Sequence, residues 1–156
     1  MTIAPHLAVG SAVALATRDP YLGFVAAIAS HHVIDALPHV DLGSIGIGAT
    51  NILENKKMLG YLYLDFALGA LIMATIVYLV GFSWTLLAGA VGGILPDLID
   101  NVPFWASRIR KNKFFGAYHR FHEFFHTTIE NRKYFWFGYL IQVFLIAVSF
   151  VIIMIK

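Results

Sequence analysis

From Tyr134 to Ile155 the chain runs 22 residues without one charged side chain. As a helix at ~1.5 Å per residue this segment is long enough to cross a bilayer, whose ~30 Å hydrocarbon core needs about 20 residues. Such a stretch has to be wrapped by protein or by lipid, and a chain of 156 residues can wrap few of them. A second stretch, Gly60 to Val80, is nearly as long and carries one charge, Asp65. Shorter apolar segments run from Ala4 to Thr17, from Tyr21 to Leu37 and from Trp84 to about Leu95. Arg18-Asp19-Pro20 and Gly81-Phe82-Ser83 form tight breaks between them. With 59% hydrophobic and 13% charged residues, there is too little polar surface to disperse a soluble domain. The expectation is therefore an all-α polytopic membrane protein, a single membrane domain over 1–156 with about five helical segments, the last a transmembrane helix over 134–155. The absence of cysteine excludes disulfides, thiolate metal sites and cysteine nucleophiles. No Lys or Arg precedes the apolar stretch Leu7 to Ala16, so a cleaved signal is not expected there.

Two longer connections separate these segments. One, His39 to Leu59, contains Gly43, Gly46 and Gly48. The other holds an amphipathic segment over 104–133 in which aromatic and basic residues alternate. Beside membrane spans this composition points to a headgroup-level helix and to lipid partners, and no nucleic acid is expected. If five segments alternate in direction, Lys56, Lys57, Arg108, Arg110, Lys111, Lys113, Arg120, Arg132 and Lys133 share one face, leaving Arg18 and Lys156 for the other. The positive-inside rule makes the basic face cytoplasmic. The same threading brings all seven histidines and four aspartates, Asp35, Asp65, Asp97 and Asp100, to that face or just beneath it.

Three clusters there carry chemistry. In Ser30-His31-His32-Val33-Ile34-Asp35, either histidine shares a helical face with Asp35, and Pro38 throws His39 into the following loop. Neutral nitrogen donors with a charge-balancing oxygen are what a divalent cation needs. Leu95-Pro96-Asp97 and Asp100 form the second cluster, two carboxylates whose charges require compensation at the end of an apolar segment. Pro96 is expected to start a new helical turn. His119, His122 and His126 are spaced along one helical face, and His122-Glu123-x-x-His126 matches the zincin pattern, with Glu123 as general base. Asp65 and His6 each stand near the start of an apolar segment and join the candidate ligands through this company. A short repeat relates residues 4–41 to 63–103: His6-x3-Gly10 parallels Asp65-x3-Gly69, and His32-x2-Asp35-x2-Pro38 parallels Asp97-x2-Asp100-x2-Pro103. Two helical hairpins built this way would present equivalent positions around one centre.

His6 opening an apolar helix, the Ser30–Asp35 run, Leu95-Pro96-Asp97 and the His119–His126 cluster together resemble the membrane-bound metal-dependent hydrolases that include the LexA-binding, inner-membrane-associated family. They also resemble, more distantly, zinc-dependent phospholipase C, an all-helical fold with scattered His and Asp ligands. The resemblance implies a prokaryotic inner-membrane protein with a metal site at the cytoplasmic face. It implies hydrolysis, with a phosphoester of a lipid or amphiphilic substrate as the leading expectation. The expected ligands are His6, His31 or His32, Asp35, His39, Asp65, Asp97, Asp100, His119, His122 and His126, more than one ion needs, which leaves room for two. Zinc suits the donor set best, with manganese, iron and magnesium as alternatives. Glu123 is the expected general base, and Lys111, Lys113 and Arg120 are expected to hold a phosphate or anionic headgroup. A zinc metalloprotease using His122, Glu123 and His126 and a non-enzymatic metal-binding or transport protein stay open beside this reading.

Overall fold

A computed structural model describes residues 1–42, 44 and 54–155. The connection glycines Gly43, Gly46 and Gly48 and the placement of Lys156 lie outside the described residues. The described chain is helical throughout, in the order α1 (Ile3–Thr17), α2 (Pro20–Asp35), α3 (Lys56–Val80), α4 (Trp84–Asp100), α5 (Ala106–Ile109), α6 (Lys113–Phe125) and α7 (Phe135–Met154). The expected all-α class is present, and α1 and α2 pack as a helical hairpin, whereas α3 and α4 follow one another through a short turn without packing together.

Local chemistry sets the helix ends. Arg18 closes α1 in the left-handed region, at φ 58°, and Asp19 then caps α2 by accepting from the Leu22 amide at 2.7 Å, with Pro20 in the first turn. Gly81, at φ 78°, makes the turn out of α3, and Ser83 caps α4 through the Leu86 amide. One boundary differs from the expectation. Pro96 does not start a new turn but lies inside α4, which continues to Asp100. A proline in a helix interior costs ~3 kcal/mol. That cost is offset by packing, because the continuous helix carries Asp97 and Asp100 against α1, α2 and α6.

α1 is the axis of the molecule, packed against α2, α3, α4 and α7. Its alanines Ala4, Ala8 and Ala12 meet Ile72 and Ile76 of α3, Leu86 of α4 and Ile153 of α7 in the apolar core. The contact with α4 is close because glycines face it. A Cβ on Gly93 would collide with the His6 carbonyl oxygen, and one on Gly10 with that of Gly89. Gly93→Val is therefore expected to cost about 1–3 kcal/mol or more and to shift His6. Gly60→Val, with open space around its Cβ, should leave the melting temperature in detergent unchanged. Equal melting temperatures for the two variants would show that α1 and α4 are not held in this contact.

α3 and the stretch Arg132–Met154 are long and apolar enough to cross a membrane, and only 17% and 22% of their most apolar windows are buried within the protein. Their outward faces carry Leu64, Leu71 and Tyr78, and Leu140, Phe144 and Val151, all exposed. A helix that serves as the core of a soluble domain is covered on most sides, and these two are not.

Candidate metal centre

Asp35, the last residue of α2, is fully buried and stands at the centre of the polar end of the bundle. Its Oδ2 lies 3.1 Å from His31 Nε2, 3.4 Å from His122 Nε2 and 3.8 Å from His126 Nε2. Its Oδ1 lies 2.7 Å from the Met1 amino nitrogen, 3.2 Å from His6 Nε2 and 4.0 Å from His39 Nε2. Asp97 adds its two oxygens on the α4 side, 3.7 Å from His6 Nε2 and 3.7 Å from His122 Nε2.

The histidine rings are fixed from behind. His31 Nδ1 donates to the Gly93 carbonyl at 2.7 Å, His122 Nδ1 to Asp100 Oδ2 at 3.1 Å, and His39 Nδ1 to the Leu37 carbonyl at 2.8 Å. A neutral imidazole has one proton, so each of these rings turns an Nε2 lone pair inward. His31 Nε2 and His122 Nε2 then face each other at 3.1 Å beside two carboxylates. Two lone pairs at that distance repel unless a proton or a cation sits between them. Nitrogens bound tetrahedrally to zinc at ~2.0–2.1 Å are ~3.3 Å apart, which matches the separation. Burial opposes the charged form of His122, but Asp100 and Asp35 raise its pKa to about 9. A proton on His122 Nε2, or a cation shared with His31 Nε2, would each relieve this contact. Among the described residues, His6 Nε2, His39 Nε2 and Asp35 Oδ2 are also buried without a hydrogen-bond partner. Unpartnered donors and acceptors of this kind are costly in a low dielectric, and their common aim fits a bound cation.

A second group of donors shares Asp35 with the first. His39 Nε2 and His126 Nε2 each lie 3.5 Å from Asp41 Oδ2. Backbone pairing holds them together: the Thr127 amide donates to the Asp35 carbonyl, the His39 amide to the Thr127 carbonyl, and the Ile129 amide to the His39 carbonyl. Burial, followed by the positive Met1 nitrogen, lowers the His126 pKa, which leaves this ring neutral and ready to ligate. Asp41 is held below the usual carboxylate range: burial opposes its ionisation, but His39, Met1 and His126 outweigh it. Burial likewise opposes the charge on the Met1 nitrogen, and Asp35, Asp97 and Asp41 raise its pKa in return.

The structure thus brings His31, Asp35, Asp97 and His122 together, with His6 against Asp35 and Asp97, and Asp35, His39 and His126 at an adjoining point. It gives other residues different work. Asp65 is not in the cluster: its carboxylate accepts from the Ile3 amide at 2.9 Å and caps α1, because the free amides of a helix start draw a nearby carboxylate. The repeat therefore pairs residues with unlike surroundings, His6 against Asp35 and Asp97 and Asp65 at a helix start. Asp100 accepts from His119 Nδ1 at 2.8 Å, His122 Nδ1 and Arg110 Nε, and with His119 and Glu123 it forms a third group of donors close enough to share an ion. His32 turns toward α6, edge-on to Phe121 at 5.1 Å, and offers a donor close to those of His31 and His122, while His31 also meets Asp35 and Asp97. His119 is part-exposed, and its free edge meets Glu123, which is exposed.

The zincin geometry is not formed. α6 ends at Phe125, and His126 continues in extended backbone toward His39 and Asp41. His122 and His126 consequently fall in different ligand groups. Lys111, Lys113 and Arg120 are exposed and line no part of the chamber beside the cluster, whereas Lys57, Arg110 and Arg132 do. Asp41, two residues past His39, was open to reading as His-x-Asp; the Gly93 carbonyl and the Met1 nitrogen leave no trace in residue type. In comparisons with known proteins, no family model, curated protein or solved structure matches this chain.

Proposed function

We propose that this protein is a membrane-embedded, metal-dependent hydrolase acting on a phosphoester of an amphiphilic substrate, a member of the kind of membrane hydrolase its motifs resemble. The observation that carries the metal is the pair of Nε2 atoms of His31 and His122, 3.1 Å apart and aimed at each other beside Asp35 and Asp97, with both Nδ1 atoms already committed. His6, His31, Asp35, Asp97 and His122 hold one ion, zinc by donor type, and Asp35, His39, Asp41 and His126 hold a second. Divalent ions held there supply the positive charge that makes water nucleophilic at neutral pH and offsets charge on phosphoryl oxygens. Asp35 belongs to both groups, with Oδ2 nearest His31, His122 and His126 and Oδ1 nearest His6 and His39. Glu123, beside His119 on the chamber wall, takes the proton from the attacking water. The Asp100 carboxylate keeps His119 and His122 in one tautomer.

α3 and α7 span the bilayer, and α1, α2 and α4 cross it between them and beside them. Buried carboxylates at the same end as the basic residues support a centre at the cytoplasmic face. Single cysteines at Glu54 and Asn112 should then react with an impermeant thiol reagent only when the cytoplasmic side is open to it. Cysteines at Asp19 and Phe82 should react only from the other side. Labelling of Asn112→Cys and Asp19→Cys from the same side would end the topology and place the centre elsewhere. Metal analysis of the purified protein by mass spectrometry, followed by phosphate release from a short-chain phosphatidic acid, tests the function itself.

A further inference from the structure

α3 and α4 are joined by a three-residue turn, yet they make almost no contact with each other. α3 leans on α1 and α7 instead, and a chamber of about 1270 Å3 opens between α3, α4 and α7. Each helix presents a stripe of apolar residues to it: Tyr61 and Leu68 from α3, Ile94 and Leu98 from α4, Val143 and Ile146 from α7. Spacings of seven, four and three residues keep each stripe on one face. At one end the lining changes character. There stand Asp97, His119, Glu123 and His126 of the candidate centre, with Lys57, Arg110 and Arg132 around them. Leu68 and Val143, 45% and 62% exposed, show that the apolar part opens out of the protein rather than forming a closed void.

The dimensions and the charge select an occupant. From Phe135, at the polar end, to Ile146 the α7 wall is ~16 Å long at ~1.5 Å per residue. That is about half of a ~30 Å hydrocarbon core, the depth of one leaflet. The apolar length suits an acyl chain, and the cationic ring suits an anionic phosphate beside it. A water-soluble phosphate ester leaves the apolar wall uncovered, and a neutral lipid leaves unmatched Lys57 and Arg132, which pair with no carboxylate among the described residues, whereas Arg110 is already bonded to Asp100.

We infer that the chamber is the binding site of a membrane lipid with a phosphate headgroup, which enters sideways from the cytoplasmic leaflet through the cleft between α3 and α4. Its chain lies along Leu68 and Val143, and its phosphate is held by Lys57, Arg110 and Arg132 at the edge of the centre. That this lipid is the substrate rests on the hydrolase proposed above; that it binds does not.

The test uses the full chain in phosphatidylcholine nanodiscs that contain a small fraction of phosphatidic acid with a photoreactive diazirine in mid-chain. After illumination, adducts are mapped by mass spectrometry. Adducts on Leu68, Val143 and Ile146 are expected at tenfold or more the level found on Val25 and Leu87, which line an apolar groove at the opposite end of the bundle. Val143→Trp, which narrows the chamber where the chain would lie, should lower those on Leu68 and Ile146 at least fivefold, and Lys57→Gln with Arg132→Gln should do the same. Asp35→Asn, which weakens the metal centre, should keep them. Equal labelling of Val25 and Leu68 would overturn the inference. So would a diacylglycerol with the same diazirine labelling the chamber as strongly as phosphatidic acid. A parent protein that is labelled in the chamber but releases no phosphate overturns the hydrolase and leaves the lipid site standing.

Discussion

Replacing Asp35 by alanine is expected to strip the protein of bound metal and to abolish its turnover. No other side chain touches as much of the centre. Its two oxygens approach the nitrogens of His6, His31, His39, His122 and His126 and that of Met1, at separations from 2.7 to 4.0 Å. Alanine takes a charge and a donor from both ligand groups at once. It also leaves a buried positive nitrogen and five imidazoles facing one another without a carboxylate between them. Metal binding depends directly on such a ligand, so the metal content of purified protein should fall tenfold or more. Asp100→Ala gives the contrast. Asp100 holds His122 from behind, and loss of an orienting carboxylate lowers affinity by 10–100-fold rather than removing the site. A centre that is only a hydrogen-bonded network would show no metal in the parent and no change in either variant. If Asp35→Ala loses metal while the parent hydrolyses no phosphoester and no peptide, the ions are cargo or structure. Metal flux into sealed vesicles then becomes the decisive measurement.

The sequence made some parts of this arrangement legible and hid others for physical reasons. Apolar length alone located α3 and α7, because the run from Tyr134 to Ile155 admits few solutions. Helical spacing put either His31 or His32 on the face of Asp35, and the structure shows that His31 makes the contact, at 3.1 Å. What spacing could not supply is which partner reaches a carboxylate first. Asp65 looked like an intramembrane ligand, but the exposed amides of α1 lie nearer to it than any histidine does. His126 looked like the second ligand of a zincin helix, yet the helix ends one residue earlier and backbone pairing with His39 carries the ring elsewhere. Asp41 was passed over because its role depends on the turn after Pro38, not on a periodic face. Basic residues were countable in sequence, but only the fold separates Arg110, bonded to Asp100 on the chamber wall, from Lys111, its exposed neighbour.

Glu123→Gln is expected to keep the metal and to lower turnover by about 10²–10⁴-fold, the usual contribution of a positioned general base. Glu123 follows His122 and so projects ~100° around α6 from it, which turns it away from the ion and onto the chamber wall. There its carboxylate comes within 4.8 Å of ligand atoms on Asp100 and His119. The amide has the same shape and cannot accept a proton, so the substitution separates basicity from ligation. His119→Asn serves as the companion variant, because His119 stands on the same wall with its Nδ1 held by Asp100. Turnover that falls in Glu123→Gln and not in His119→Asn assigns the proton to Glu123, and the reverse assigns it to His119. A parallel fall in metal content would make Glu123 a ligand. Activity against a peptide but not a phosphoester would restore the protease, although His122 and His126 would first have to leave their separate groups and share one ion. Unchanged metal and unchanged turnover would leave Glu123 a solvent-facing carboxylate and move the search for the base to the atoms around Asp97.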